Sequence, residues 1–273
     1  MPELPEVETV RRGLEKELVN RKIVDVLIYY PNIVANPTIE EFKKQIKNQT
    51  IHKINRYGKW LIFELDHDVL LSHLRMEGKY FFRSAKDPVQ KHEHVVFCLD
   101  DQRQLRYHDT RKFGRMYLLS KDTAYQVPPL SNLGLEPWDQ LLTVSYLKDK
   151  WKNKKIPIKT SLLDQSVIVG IGNIYANEIL FLSHISPLRA SNRVTKKELE
   201  YLIENTRKVL KEAIDLGGST IRSYHPSEGV DGMFQQKLFV HGKEGQPCPI
   251  CGKAIKKRFI NGRSSYYCTN CQK

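Results

Sequence analysis

Four of the five cysteines form two close pairs near the C-terminus, and this pattern limits the local fold more than any other feature of the chain. The pairs are Cys248 with Cys251 and Cys268 with Cys271, and residues 252–267 separate them. Two tight turns of this kind can point four thiolates at one tetrahedral ion. Disulfides are the alternative, and a reducing cytosol disfavours them. The spacing therefore predicts a small C-terminal module organised by one structural Zn²⁺.

The chain is strongly basic. Its 273 residues include 44 lysines and arginines against 31 aspartates and glutamates, a formal net charge of +13. Such a surface attracts polyanions, so nucleic acid is the first candidate partner. No apolar run approaches the roughly 18 residues needed to cross a bilayer. The acidic start also differs from a secretory signal, and we expect a cytoplasmic protein that does not enter membranes.

The N-terminus offers a candidate nucleophile. Removal of Met1 would leave Pro2 with a free secondary amine. Such an amine can attack a sugar's anomeric carbon to form an iminium ion, which favours elimination at neighbouring carbons. An α-amino group titrates at about pH 8, so a sizeable fraction is unprotonated at neutral pH, and Glu3 is an adjacent proton donor. Taken alone, an ordinary acidic helix start explains these residues better.

Hydrophobic patterning predicts a β-rich first half. Val7, Val10, Leu14 and Leu18 fall at helical spacing behind Pro5, which predicts an N-terminal helix. Strand-like runs follow at Ile23–Tyr30, Ile51–Arg56, Leu61–Leu65, Val69–Leu74, Lys79–Arg83, His94–Leu99, Leu105–His108 and Arg115–Leu119. Many short strands with local turns predict an antiparallel sandwich or barrel.

The pattern becomes helical beyond a proline-rich linker at residues 126–137. The predicted helices are Val144–Trp151, Leu162–Val169, Ile174–Leu182 and Lys196–Leu216. Residues 219–234 have little periodicity and predict a loop. The glycine turn that ends at Asn173 lacks the strand and third glycine of a dinucleotide site, and it suits a close approach of the backbone to a phosphate.

Six separated blocks match one known family in sequence and in order. They are PELPEVETVRRGL from residue 2, HLRMEG from 73, DTRKFG from 109, LLDQSVIVGIGNIYANE from 162, GGST from 217 and the four-cysteine C-terminus. The chain thus resembles the formamidopyrimidine-DNA glycosylases over its whole length. The resemblance implies an α+β fold with an N-terminal antiparallel β-sandwich and helix, a helical helix-two-turns-helix domain, and a C-terminal zinc finger. The implied boundaries are 1–125 for the catalytic sandwich, 126–235 for the helical DNA-binding domain with a lesion-capping loop at 219–235, and 236–273 for the finger.

The resemblance also implies catalytic roles. Pro2 resembles the family's nucleophile, Glu3 the proton donor to the opening sugar, and Glu6 the second active-site carboxylate. Lys59 matches the lysine associated with β-elimination and phosphate contact, and Arg263 matches the finger arginine linked to δ-elimination. Without the family, Lys59 would be interpreted as an ordinary surface lysine between two strands.

Further positions are similar to the family's DNA contacts. Met76, Arg111 and Phe113 resemble the side chains that fill the gap when the damaged nucleotide is flipped out, although patterning alone would place Met76 and Phe113 in the core. The family positions that touch backbone phosphates correspond to His73, His92, Lys154, Lys159 and Asn173.

The implied function is a bifunctional DNA glycosylase and AP lyase of base excision repair. Its substrate would be double-stranded DNA with 8-oxoguanine, formamidopyrimidines or abasic sites, and the enzyme would act as a monomer in the bacterial cytosol with structural zinc as its only cofactor. Two alternatives stay open: an endonuclease VIII-like enzyme for oxidised pyrimidines, and a non-catalytic zinc protein that binds damaged DNA. Leu4 and the Met76, Arg111 and Phe113 set favour the purine enzyme, and the second alternative leaves Pro2 and Glu3 without a role.

Overall fold

The computed structural model describes residues 2–219 and 232–273. Contacts between residues divide this part of the chain into two compact units. The first unit contains residues 2–132 and Gly232, and the second contains residues 133–219 and 233–273. The three-part division at residues 125 and 235 stays a prediction. None of the helices within the described ranges is long and apolar enough to span a membrane.

The first unit begins with the predicted helix, α1 (Leu4–Leu18). Val7, Val10, Leu14 and Leu18 are buried, as their spacing predicts. Arg11 lies at the edge of this buried face and bonds to Glu8 and Glu15 and also to the carbonyl oxygen of Ile54, at 3.0 Å. These contacts hold α1 against the strand that contains Ile54.

Two sheets form the sandwich. Their strands are β1 (Ile23–Ile28), β2 (Val34–Asn36), β3 (Lys53–Tyr57), β4 (Trp60–Glu64), β5 (Asp68–His73), β6 (Lys79–Ser84), β7 (Glu93–Leu99), β8 (Arg103–His108) and β9 (Arg115–Ser120). One sheet has the order β1–β7–β8–β6, and the other has the order β2–β9–β5–β4–β3. Neighbours are antiparallel except for the parallel pair β2 and β9. The pattern does not predict β2, because three residues carry too little alternation.

Side chains from both sheets meet in one hydrophobic core. Phe63 on β4 and Tyr80 on β6 pack edge to face across the layers, with ring centroids 6.1 Å apart. Helix α2 (Ile39–Ile46) adds Phe42 and Ile46 to the same core. The predicted antiparallel sandwich is therefore confirmed, and the sheets do not form the alternative barrel.

The second unit contains four helices in its described part: α3 (Val144–Trp151), α4 (Ile158–Leu162), α5 (Asn173–Leu182) and α6 (Lys196–Asp215). The prediction of a helix at Leu162–Val169 is wrong, because α4 ends where that segment begins. Asp164 accepts hydrogen bonds from the backbone and hydroxyl of Ser166, and Gln165 accepts one from the N–H of Gly170. These side chains stabilise turns instead of a continued helix.

The chain ends in a short hairpin, β10 (Lys256–Ile260) with β11 (Arg263–Tyr267). Asn261 and Gly262 form its tip, both with positive φ. The four paired cysteines flank this hairpin in sequence. A metal-organised finger is thus consistent with the local fold.

Candidate functional site

The start of α1 holds the candidate nucleophile and both candidate carboxylates. Pro2 is buried, and Glu3 and Glu6 are each 2 % exposed. The N–H of Glu3 donates to Oε2 of Glu6 at 2.8 Å, and the helix's first backbone bond runs from Val7 to the carbonyl oxygen of Glu3. Glu6 therefore fixes the backbone next to Pro2, at the positive end of the helix dipole.

The turn between β3 and β4 carries Lys59, which is 6 % exposed. Gly58 takes the left-handed conformation that this turn requires, with φ 55. Arg56 donates to the carbonyl oxygen of Gly58 at 2.9 Å and to Glu8 at 3.3 Å. The same arginine thus joins the Lys59 turn to the beginning of α1.

His73 ends β5 opposite Trp60, the residue after Lys59, and the two rings lie 4.8 Å apart. Burial, with the charges of Arg75 and Lys59, lowers the pKa of His73 to about 3. Its Nδ1 accepts the N–H of Arg75 at 3.0 Å. A neutral ring that accepts at Nδ1 carries its proton on Nε2, so His73 can donate one hydrogen bond without adding charge.

Two loops at this end of the sandwich carry the candidate gap-filling side chains. Met76 is half-buried in residues 74–78, and Arg111 and Phe113 are exposed in residues 109–114. The guanidinium of Arg111 stacks on the Phe113 ring, 4.8 Å from its centroid. Phe113 is 48 % exposed, so it does not belong to the core as patterning alone suggests.

Asp109 organises the second of these loops, although sequence reasoning does not single it out. Its carboxylate accepts the N–H groups of Arg111 at 2.9 Å and Gly114 at 2.8 Å. Its own N–H donates to the carbonyl oxygen of His92 at 2.9 Å. His92 therefore lies beside the Arg111 loop, and Nδ1 of His92 is buried with no hydrogen-bond partner among the described residues. The sequence signal that could have identified Asp109 is its position as an aspartate directly before a turn.

In the second unit, Lys159 and Arg263 line one small cleft of about 210 Å³ between α4 and the hairpin. The Lys159 side chain is fully buried, and its Nζ donates to the carbonyl oxygen of Ser264 and to the hydroxyl of Ser265, both at 2.8 Å. Arg263 is exposed at the start of β11. The structure thus places Lys159 behind the hairpin and Arg263 on its surface.

Two other predicted phosphate contacts flank the α4–α5 turns. Lys154 is partly exposed and pairs with Asp164 at 2.9 Å. Asn173 begins α5, and its Oδ1 is buried without a hydrogen-bond partner in the described ranges. Phosphate contact by these residues stays a prediction.

Glu178 is a further residue that the sequence pattern does not reveal. It is 1 % exposed on α5 and accepts the backbone N–H groups of Phe239, Val240 and His241. Burial raises the pKa of Glu178, and these three bonds oppose the rise. Asn177 also bonds to the His241 ring at 2.7 Å, so α5 holds the segment that leads into the finger.

The four paired cysteines converge on one point. Their Sγ atoms all lie within 4.8 Å of one another, with Cys248 to Cys271 at 3.8 Å and Cys251 to Cys268 at 3.5 Å. A tetrahedral Zn²⁺ with Zn–S bonds of about 2.3 Å separates its sulfurs by about 3.8 Å. The residues therefore fit one structural zinc ion, as the spacing predicts.

Comparison with known proteins gives the family. The Formamidopyrimidine-DNA glycosylase N-terminal domain matches residues 1–116, and the Formamidopyrimidine-DNA glycosylase H2TH domain matches residues 133–225. The Zinc finger found in FPG and IleRS matches residues 245–273. The chain belongs to the formamidopyrimidine-DNA glycosylase family.

Individual relatives cover the whole chain. The formamidopyrimidine-DNA glycosylases of Bacillus subtilis (strain 168) and Shouchella clausii (strain KSM-K16) are each 46 % identical over 273 residues, which is 100 % of this chain and 99 % of theirs. A Lactococcus lactis FPG mutant in complex with a Fapy-dG containing DNA has a TM-score of 0.93 at 39 % identity, with 100 % of both chains covered.

Other solved formamidopyrimidine-DNA glycosylases are complexes with different DNAs. Lactococcus lactis Fpg with an abasic site containing DNA has a TM-score of 0.92 at 39 % identity, with 99 % of both chains covered. The wild-type protein with an oxidized pyrimidine containing DNA has a TM-score of 0.91 at 38 % identity, with 100 % of both chains covered. The predicted family and α+β fold are thus confirmed. The predicted lesion-capping loop at 219–235 lies largely outside the described residues, which exclude 220–231.

Proposed function

We propose that this chain is a DNA glycosylase and AP lyase that removes oxidised purines through a Schiff base on Pro2. The observation that carries this proposal is the start of α1, where a buried proline stands beside two almost fully buried carboxylates in a member of this family. The chemistry requires that Met1 is removed, because only a free amine can form the iminium. The partner is double-stranded DNA, which the +13 charge suits.

The reaction begins at C1′ of the damaged nucleotide. The Pro2 nitrogen attacks C1′, the C1′–N bond to the base breaks, and the base leaves with the electron pair and takes up the proton that the Pro2 nitrogen loses. A proton from Glu3 passes to O4′ as the C1′–O4′ bond opens, which leaves an iminium between Pro2 and C1′. Loss of a proton from C2′ then expels the 3′ phosphate, and a second elimination expels the 5′ phosphate. Water finally adds to the iminium carbon, and breaking of the bond between Pro2 and C1′ frees the amine and leaves the sugar remnant as an aldehyde.

The other candidate residues support these steps. Glu6 holds the backbone of Glu3, so it positions the proton donor beside Pro2. Lys59 and Arg263 supply cationic groups for the phosphates that leave. We expect His73, His92, Lys154, Lys159 and Asn173 to contact the DNA backbone. The four cysteines would hold one Zn²⁺ through thiolate ligands alone, so the ion would serve to fold the finger and would not supply a group to the reaction.

Borohydride trapping on 8-oxoguanine DNA tests this function. The processed enzyme should form a covalent complex that survives denaturation, because borohydride reduces the iminium to a stable amine. A chain with an N-terminal tag should form none, and Pro2→Gly should keep part of the trapping through its primary amine. Undiminished trapping of the tagged chain would move the nucleophile to a lysine and refute the proposal. Absence of trapping in the processed wild type would favour a non-catalytic DNA-binding protein.

Oxidised pyrimidines are the second substrate class. The complex of wild-type Lactococcus lactis Fpg with an oxidized pyrimidine containing DNA motivates this comparison. We expect excision of 8-oxoguanine opposite cytosine to be faster than excision of an oxidised pyrimidine in the same duplex context. The reverse order would assign the chain to the pyrimidine-directed alternative.

Because the proposed substrate is chromosomal DNA, we expect the enzyme to act in the bacterial cytosol. We also expect it to work as a monomer.

A further inference from the structure

The topology of the sandwich brings the two gap-filling loops to the same place. Residues 74–78 connect β5 to β6, and residues 109–114 connect β8 to β9. His73 at the end of β5 pairs with Arg115 at the start of β9. Lys79 at the start of β6 pairs with His108 at the end of β8. Both loops therefore cross between the sheets side by side, each anchored at both ends to strands that pair with each other.

Tyr107 lies between these crossings. It is the penultimate residue of β8, is 0 % exposed, and packs its ring 5.2 Å from that of Tyr80. Its hydroxyl donates to Oδ2 of Asp109 at 3.3 Å, the same oxygen that accepts the N–H of Gly114 at 2.8 Å. The hydroxyl of this buried tyrosine thus bonds to the carboxylate that organises the Arg111 loop.

Both loops approach the Tyr107 hydroxyl closely through a glycine. A Cβ added to Gly114 would lie 1.7 Å from the hydroxyl oxygen, and one added to Gly78 would lie 2.4 Å from it. Real Cβ atoms do not come this near to an oxygen, so each loop packs its bare backbone against the phenol. Gly78 ends the Met76 loop, and Gly114 ends the loop with Arg111 and Phe113. The backbones of both loops therefore pack against the same oxygen atom.

From these contacts we propose that Tyr107 is a positioning residue that couples Met76 to Arg111 and Phe113. Its hydroxyl holds the two loops at a fixed separation, so the three side chains enter the duplex as one preformed unit when the damaged nucleotide leaves. Preformed geometry avoids the entropy of ordering the loops at that step. The inference rests on the proposed function, and it adds the residue that ties orphan-base contact by Arg111 to gap filling by Met76.

Tyr107→Phe removes the hydroxyl alone and keeps the buried ring. The matched control is Tyr80→Phe, since Tyr80 is also buried in this core but its hydroxyl donates to that of Ser72 on β5, at 2.7 Å, which belongs to neither loop. Single-turnover excision of 8-oxoguanine should be measured opposite cytosine and opposite adenine, together with cleavage of a single-stranded abasic oligonucleotide. The single-stranded substrate has no opposite base and no gap to fill, so it reports the Pro2 chemistry alone.

We expect Tyr107→Phe to excise 8-oxoguanine opposite cytosine about five- to tenfold more slowly, as the loss of one buried hydrogen bond implies, and to discriminate less against adenine. Its cleavage of the single strand and all rates of Tyr80→Phe should stay within about twofold of wild type. In a double-mutant cycle, Met76→Ala and Arg111→Ala should be coupled in the wild type and additive in Tyr107→Phe.

Two outcomes would overturn the positioning role. One is a Tyr107→Phe enzyme with wild-type rates and wild-type coupling, and the other is an equal loss on duplex and single strand, which would indicate general destabilisation. Failure of the proposed function is distinguishable from both, because the wild type itself would then leave the single-stranded abasic substrate uncut and untrapped by borohydride.

Discussion

The ammonium group of Lys159 donates to the carbonyl oxygen of Ser264 at 2.8 Å, directly beside Arg263 on the finger hairpin. A second bond to the Ser265 hydroxyl completes a buried contact between α4 and β11. Because a buried ammonium needs such acceptors, the lysine and the hairpin constrain each other. The position of Arg263 on the hairpin therefore depends on a contact with a lysine that is 0 % exposed.

We expect Lys159→Met to loosen the hairpin while the rest of the second unit stays folded. Loss of these bonds should cost about 1 to 3 kcal/mol locally, seen as faster hydrogen exchange at the amides of β10 and β11. Lys152→Met is the control, because Lys152 lies on the surface with a side chain 65 % exposed. Unchanged hairpin exchange in Lys159→Met would show that the contact contributes little.

Gly114→Ala should destabilise the first unit. Its Cβ would lie 1.7 Å from the Tyr107 hydroxyl, so core and loop must shift, at a cost of about 1 to 3 kcal/mol. Gly13→Ala is the opposite case: Gly13 lies in α1, and apart from its own helix no atom comes within 4 Å of the added Cβ. Helix propensity should therefore stabilise that variant by about 0.5 to 1 kcal/mol. Urea unfolding of both variants checks the signs, and equal midpoints would contradict the packing argument.

His73 should make stability depend on pH below the ordinary pKa of histidine. The folded pKa is lowered to about 3 by burial and by Arg75 and Lys59, so between about pH 6.5 and 3 the unfolded chain binds a proton that the folded chain does not. Stability should therefore fall as pH falls, by up to about 1.4 kcal/mol per pH unit from this residue. His73→Asn should lose that part of the slope, whereas exposed His67→Asn should keep it. Identical slopes in both variants and the wild type would refute the assignment.

Zinc removal should disorder the finger and leave the sandwich intact. We expect one zinc per chain by metal analysis, and Cys248→Ser should release it and weaken DNA binding, because metal binding and folding are linked in such modules. Cys98→Ser on β7 is the control, since Cys98 stands apart from the metal site. A folded wild type without zinc would contradict the site.

Arg111 should distinguish the base opposite the lesion. Orphan cytosine presents neighbouring acceptors, O2 and N3, that suit a guanidinium, whereas adenine places a donor beside its N1 acceptor. An unpaired N–H costs about 1 to 3 kcal/mol, so excision opposite cytosine should be roughly ten- to hundredfold faster. Arg111→Ala should reduce this ratio, and Lys112→Ala should slow both reactions equally. Equal excision rates opposite cytosine and opposite adenine in the wild type would show that Arg111 does not distinguish the opposite base.

The sequence alone determined the features that depend on local spacing. The two cysteine pairs predict a tetrahedral site, and the apolar repeat from Val7 to Leu18 predicts an amphipathic helix. Many short strand-like runs with local turns predict an antiparallel sandwich or barrel. The family blocks added the helix-two-turns-helix element and the candidate site residues. These signals are readable because each lies within a few residues along the chain.

Only the tertiary structure decided which distant residues meet. In the sequence, Tyr107 is one aromatic residue of a predicted strand. In the structure, pairing of β6 with β8 and of β5 with β9 brings Gly78 and Gly114 to its hydroxyl. The resemblance implies that Lys159 contacts a DNA phosphate, and only the structure shows that its side chain is buried against the hairpin. Patterning alone places Phe113 in the core, whereas its loop exposes it. The physical reason is that burial and hydrogen-bond partners are set by contacts far apart in sequence, which local periodicity does not encode.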